Sequence, residues 1–249
     1  MVSKKQMSYI RIAGVAVFIL ASLLLLSSYS ADVTIATQPR YHFAVAVLSK
    51  HSDTLRRATL RATVFANVSF PYVFIVGKTE NVLSEPDLVV LDVVDSHDTL
   101  AYKRVSSIQW AAQQNADFFV QMDSDSFVRF DALRNVMQQY VNTSVVYGRM
   151  IMFEDSLKYP GGMAYVISHS LTTLLARSNC ETDVLYPFDD VMVGRCLRSV
   201  NATTLINDDN FHDFPGKGGN AHIVTKSSLV VHHLSTEAEF YNLYQYFKI

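Results

Sequence analysis

Residues 117–128 read Asp-Phe-Phe-Val-Gln-Met-Asp-Ser-Asp-Ser-Phe-Val. This run limits the possible fold more than any other segment. An apolar stretch of strand length, 118–122, ends in two carboxylates one residue apart, Asp123 and Asp125. That is the pattern of a buried strand delivering acidic side chains at its end. In a strand, residues i and i+2 point to the same face, so both carboxylates can reach one cation. Oxygen ligands suit Mg²⁺ or Mn²⁺, and an ion held this way most often neutralises phosphate. The spacing alone is common in a chain with 17 Asp; the strand in front of it gives the pair its meaning.

The segments around this run extend the pattern. Residues 41–48 form a short apolar strand, and 53–65 have helical spacing through Leu55, Ala58, Ala62 and Phe65. A second strand covers 72–76 and ends at Gly77, and a third covers 88–94. Residues 99–115 are helical, with Leu100, Val105, Ile108 and Ala112 along one face. Strand, helix, strand, strand, helix, strand predicts a mainly parallel α/β sheet. Ligands of such sheets sit beyond the carboxyl ends of the strands, where Asp123 and Asp125 fall.

The second half is more irregular. A helix is expected over 132–140 and a strand over 145–153. Tyr159-Pro160-Gly161-Gly162 reads as a tight turn, because Pro fixes φ and Gly tolerates positive φ. It leads to 164–167 and a helix over 168–177. Pro187-Phe188-Asp189-Asp190-Val191 opens another helix, with an N-cap role available to either aspartate. Residues 215–219 form a loop, and 229–231 a final strand followed by His232 and His233. Residues 41–249 amount to one domain with apolar content for a full core.

The N-terminus indicates the compartment. Lys4, Lys5 and Arg11 precede fifteen apolar or small residues from Ile12 to Leu26, about 22 Å of helix. With its flanks, 11–30 approaches the length needed to cross a thin bilayer. The charge bias leaves 1–10 as a cytosolic tail and puts 31–40, a short stem, and 41–249 in the lumen. A cleaved signal peptide, with Ser28 and Ser30 before Ala31, is the competing reading and gives a secreted chain. Three Asn-x-Ser/Thr sequons, at Asn67, Asn142 and Asn201, and two cysteines, Cys180 and Cys196, agree with an oxidising lumen. A net charge of −2 offers no basic face for nucleic acid.

Taken in order, several blocks resemble the beta-1,3-galactosyltransferase family (glycosyltransferase family 31, fringe-like). They are Arg56-Arg57-x-x-x-Arg61-x-Thr63, Val73–Gly77, Asp95-Ser96 with Leu100 and Lys103, and Asp123-Ser124-Asp125-Ser126-Phe127-Val128. Tyr159-Pro160-Gly161-Gly162 through Ser168, Asp189-Asp190-Val191-x-Val193-Gly194-x-Cys196-Leu197, and Val231-His232-His233 with Glu237-x-Glu239-Phe240 follow. The chain departs from the pattern at Val64, where the family usually has tryptophan, in a shortened Tyr-Pro-Gly segment and in its brief stem.

The resemblance implies a GT-A type nucleotide-sugar-binding fold behind one N-terminal transmembrane helix in the Golgi membrane. It also implies inverting transfer of galactose or N-acetylglucosamine from a UDP-sugar to a glycan hydroxyl, forming a beta-1,3 linkage. By resemblance Asp125 is the direct ligand of Mn²⁺ or Mg²⁺, Asp123 binds ribose or the metal's waters, and His233 completes the shell, with His232 as the register alternative. Asp190, or its neighbour Asp189, is the general base. Ser124, Arg57, Arg61 and Lys103 are expected at the nucleotide. Two other classes stand beside this one. One is a non-catalytic lumenal relative that binds glycans or acts as a chaperone. The other is a different phosphoryl or nucleotidyl enzyme, which would want a Gly-rich phosphate loop; none follows the first strand.

Overall fold

The two strands with the most continuous apolar sequence lie in the middle of a sheet. The computed structural model describes residues 41–79, 85–153, 156–178, 189–202 and 204–248. In it β1 (Tyr41–Leu48) and β4 (Ala116–Asp123) pair in parallel, with Phe43 opposite Phe118 and Leu48 opposite Asp123. Both faces of the sheet are covered, so these strands need no polar alternation. Phe43, Val45 and Val47 face one core, and Ala46 and Leu48 the other.

Beyond β1 the parallel set continues through β2 (Tyr72–Lys78) and β3 (Leu88–Val94). On the far side of β4 lie β7 (Lys158–Ser168), β6 (Val146–Met152) and β8 (Leu205–Asn207), giving the order β3-β2-β1-β4-β7-β6-β8. Within this sheet β7 alone runs against the rest, because it is antiparallel to both β4 and β6 while β8 is parallel to β6. A mixed α/β fold with a mainly parallel central sheet is therefore present, as the strand and helix signals predict.

One face of the sheet is covered by α1 (Thr54–Ala62), α3 (Phe130–Met137) and α6 (Glu237–Phe247). A second, small sheet, β5 (Phe127–Val128), β10 (Val230–His232) and β9 (Phe211–Asp213), joins them, and Leu60, Leu133, Phe211 and Phe240 fill that core. The opposite face carries α2 (Leu100–Ala112), α4 (His169–Arg177) and α5 (Asp189–Ser199), packed through Ile108, Leu171, Met192 and Val193. Residues Arg40–Ile249 form one compact unit.

The chain leaves β1 toward β2 and β3, then returns to place β4 on the other side of β1. Strand order reverses there, which opens a crevice at the carboxyl ends of β1 and β4. The Ser124 N–H donates to Leu48 O across 3.1 Å, fixing the Asp-Ser-Asp segment at that crevice.

The tight turn expected at Tyr159-Pro160-Gly161-Gly162 does not form. β7 runs through it, with Tyr159 opposite Ile151 and Pro160 opposite Met150, and the ladder absorbs the irregularity as a register shift between Gly148 and Met150. Glycine in a strand can mark a close approach as well as a turn. A Cβ on Gly162 would lie 2.6 Å from Arg104 Nη2 and 2.8 Å from Asp190 Oδ1.

The expected tail, anchor and stem of residues 1–40 lie outside the described residues. Among the described residues no helix is long and apolar enough to cross a membrane. Cys196 is disulfide-bonded, and Cys180 is not among the described residues.

α5 meets β7 at a second glycine, Gly194, where a Cβ would fall 2.5 Å from Tyr159 Cβ. That neighbour is anchored to its strand and cannot swing aside. Gly194→Ala is expected to destabilise the protein by about 1–3 kcal/mol in urea unfolding, as overpacking does in a dense core.

Candidate functional site

Asp125 lies in the turn between β4 and β5, and β5 pairs antiparallel with β10, Phe127 opposite Val231. The Leu234 N–H donates to Asp125 O at 3.0 Å, so His232 and His233 are drawn alongside Asp125. In an extended strand two consecutive histidines would point to opposite faces. His233 instead has a left-handed φ of 62°, and the two rings stack with centroids 3.9 Å apart. Asp125, His232 and His233 each offer a ligand atom, and these atoms lie within 4.8 Å of one another.

A fourth residue, Asp213 on β9, supports this group from behind. Its side chain is 5% exposed, and its Oδ1 lies 3.0 Å from His232 Nδ1 and 3.2 Å from His233 Nδ1. The Asn220 N–H donates to Asp213 Oδ2 at 3.1 Å. With Nδ1 bound to Asp213, His232 turns Nε2 toward Asp125 Oδ1, 3.2 Å away. A carboxylate holding the far nitrogen of a ligating histidine is the usual support of a metal site. Gly218, at φ 70°, closes the same corner; a Cβ there would lie 2.2 Å from Asp213 Oδ2. The buried His233 Nδ1 has no aligned hydrogen bond of its own. One carboxylate and two imidazoles in this cradle fit a divalent cation.

The second cluster is centred on Arg104 of α2. Its side chain is 2% exposed, with Nη2 2.7 Å from Asp190 Oδ1 and 3.6 Å from Asp123 Oδ1, while Nε donates to Asp189. The Gly162 N–H donates to Asp190 Oδ2 at 2.9 Å. Below it the Tyr165 hydroxyl donates to Gln121 Oε1 at 2.6 Å, and Ser107 Oγ donates to the same oxygen at 2.9 Å. Asp123 therefore lies with Arg104 and the α5 aspartates, and the residues grouped so that they could hold a cation are Asp125, His232 and His233.

The two clusters have opposite electrostatics. Burial raises the Asp123 carboxyl to about 7; Arg104 opposes this, and Asp190 and Asp125 reinforce it. Burial also raises Asp190, with Arg104 and the Gly162 N–H opposing and Asp189 adding to the rise. Burial alone would lower the Arg104 guanidinium, but Asp190, Asp123 and Asp189 together hold it well above its ordinary value. For Asp125, burial pushes upward and is outweighed by His232 and His233, so the carboxyl stays below its usual range. His232 is lowered by burial, yet Asp125, Asp123 and Asp213 bring it up to about 9.

A cleft of 740 Å³ opens in front of the first cluster, with Ser124, Asp125 and His233 on one wall and Lys50, Asp53 and Arg56 on the other. Arg57, Arg61 and Lys103, expected at the nucleotide, are not among the residues lining this cleft. Arg57 is fully buried and pairs with Glu85 at 2.6 Å, also donating to His51 O at 3.2 Å. Arg61 pairs with Asp87 at 2.6 Å and with Glu85. Lys103 pairs with Asp95 and donates to Ser49 O at 2.8 Å.

Sequence reasoning misses Arg104 and Asp213. Arg104 leaves a signal, since it shares a helical stripe with Ala101, Ile108 and Ala111, all buried. A charge on an apolar stripe announces buried partners. Asp213 leaves none, because its role comes from pairing of β9 with β10, Asp213 opposite His232.

A family model described as galactosyltransferase matches residues 55–157. Beta-1,3-galactosyltransferase 1 of Mus musculus and of Homo sapiens are each 24% identical to this chain over 196 residues, which is 63% of this chain and 60% of theirs. The match thus spans less than two thirds of those relatives. Among solved structures, a glycosyltransferase involved in the glycosylation of the major capsid of PBCV-1 aligns at a TM-score of 0.49 and 14% identity. That alignment covers 85% of this chain and all, 100%, of the other.

Two outcomes follow from the charges. His232 stands at about 9 in the folded chain against 6.5 ordinarily, so folding takes up a proton between those values. Its contribution is complete below pH 6.5 and lost as pH rises to 9. Asp123, raised from 3.8 to about 7, gives a loss of the same sign between those two values. Urea titrations of the cation-free protein should show up to about 3 kcal/mol lost from pH 6.5 to 9, and His232→Gln should flatten that slope. Arg104→Met leaves three carboxylates without their buried partner and should cost about 3–5 kcal/mol by the same assay.

Proposed function

We propose that this chain, which a galactosyltransferase family model matches over residues 55–157, is an inverting hexosyltransferase of GT-A type. It moves galactose or N-acetylglucosamine from a UDP-sugar to a hydroxyl of a glycan acceptor, forming a beta-1,3 linkage. The observation carrying this reading is the pairing of two carboxylate groups of opposite character at one crevice. Asp125 lies within ligand reach of two imidazoles that keep its carboxyl below the usual range, and Asp190, paired with Arg104, has its proton affinity raised by burial. A leaving diphosphate needs the first and an attacking hydroxyl needs the second.

Asp125, His232 and His233 would hold Mn²⁺ or Mg²⁺; two imidazoles among the ligands favour Mn²⁺ over the all-oxygen shell that Mg²⁺ prefers. A divalent cation bound there supplies Lewis-acid stabilisation of the departing diphosphate. Asp213 fixes the His232 tautomer by taking Nδ1. Asp123 and Ser124 face the nucleotide at the crevice, and Asp123 keeps 29% of its side-chain exposure for that contact. Arg57 and Lys103 shape the nucleotide pocket by donating to the carbonyls of His51 and Ser49 in the β1–α1 connection, and Arg61 holds Glu85 and Asp87. Asp190 takes the proton of the acceptor hydroxyl, and its raised affinity for a proton strengthens it as a base. Arg104 and the Gly162 N–H aim its oxygens, and Asp189 shares the guanidinium.

The N-terminal segment 11–30 is proposed as a signal anchor in the Golgi membrane, with the catalytic domain lumenal.

The test is UDP release and nucleotide binding by the full chain against a panel of UDP-sugars, with and without Mn²⁺. One donor should be turned over only with Mn²⁺, and Asp125→Ala should abolish this. Asp190→Asn should lower kcat about 10²–10⁴-fold while donor binding is kept. Failure of UDP and every UDP-sugar to bind the folded protein with Mn²⁺ would sink the proposal in favour of a non-catalytic relative.

A further inference from the structure

The three sequons share a structural address that their positions in sequence conceal. Asn67, Asn142 and Asn201 are exposed and lie in turns, each four or five residues ahead of a strand of the large sheet: β2, β6 and β8. Those strands all run in the direction of β1 and β4. Val146, the first residue of β6, pairs with Leu205, the first of β8. All three asparagines therefore sit at the amino end of the sheet, whereas Asp123 and the cleft lie at its carboxyl end. The loops carrying Asn67 and Asn142 are neighbours, since Ser69, Phe70 and Val141 line one 450 Å³ hollow together with His42 at the start of β1.

A plainer account exists for two of these residues. Asn142 and Asn201 adopt left-handed φ of 67° and 54°, which asparagine tolerates better than most residues. That explains the asparagines and not the hydroxyl residue two places on in each case, and it does not apply to Asn67. Ser69 and Ser144, which complete two of the motifs, are exposed as well.

We propose that Asn67, Asn142 and Asn201 carry N-linked oligosaccharides, which together cover the amino end of the sheet and leave the cleft open. In each transfer the Asn Nδ2 loses a proton and bonds to C1 of an oligosaccharide delivered as a lipid pyrophosphate. The C1–O bond to phosphate breaks and the lipid pyrophosphate leaves. Bulky, solvated chains of this kind suit exposed turns. The inference rests on the lumenal placement proposed above.

The experiment expresses the full chain, with an extra acceptor sequon appended after Ile249, in a secretory eukaryotic cell. Peptide N-glycosidase digestion in ¹⁸O-water converts each glycosylated Asn to labelled Asp, read by peptide mass. Label at positions 67, 142 and 201 is expected, and Asn67→Gln, Asn142→Gln and Asn201→Gln should each remove one step from the gel ladder. Any of the three left unlabelled while the appended sequon is labelled overturns the assignment at that residue and leaves the lumenal reading intact. No label anywhere, the appended sequon included, overturns both. Native deglycosylation of the folded wild-type protein should leave UDP affinity unchanged; a loss of UDP binding by protein that stays folded would overturn the placement away from the cleft.

Discussion

One guanidinium organises this molecule. Arg104 sits beneath the crevice with three carboxylates around it, and it joins α2 to the end of β4 and the start of α5. Removing so many charges from water is costly, and mutual attraction offsets that cost only when geometry is tight. The tightness comes from absent atoms: Gly162 has no Cβ where Arg104 Nη2 and Asp190 approach β7. One positive charge against three negative ones still leaves an excess. Burial, reinforced by the neighbouring carboxylates, raises the proton affinity of Asp123 and Asp190. The same excess makes those groups ready to accept a proton or to sit beside a cation.

The neighbouring cluster meets the opposite requirement. Asp125 stays ionised because two imidazoles face it, and Asp213 sets the orientation of one of them. Two groups of aspartates at the end of one strand are thus driven apart in character, although Asp123 and Asp125 are separated by one residue. Strand geometry alone would have sent both to one cation. After Asp123 the chain leaves β4 and joins another sheet, and this change of sheet separates their roles.

Much of this was legible in the sequence where the signal is local. The apolar runs of β1 and β4, the carboxylates after β4 and the helix opened by Asp189 and Asp190 all appear where patterning puts them. Tyr159–Gly162 misled because glycine and proline are read as turns, whereas here they admit Arg104 and Asp190 against a continuous strand. The choice between His232 and His233 could not be made from alternation, since a left-handed residue cancels it. Asp213 leaves no sequence signal because its partners lie on another strand, and Arg104 is marked only by the buried stripe it shares with Ala101, Ile108 and Ala111.

The cation cluster draws on residues far apart in the chain. Asp125 belongs to the middle of the sequence and the two histidines to the end of β10. Bringing together points on the order of a hundred residues apart carries a loop-closure cost of about 4 kcal/mol before any contact rewards it. A cation bridging them would act as a fastener across that loop, rewarding the closed chain and not the open one. The resistance of this protein to unfolding would then be a property of its surroundings as well as of its sequence, rising with the free cation concentration of the compartment it occupies.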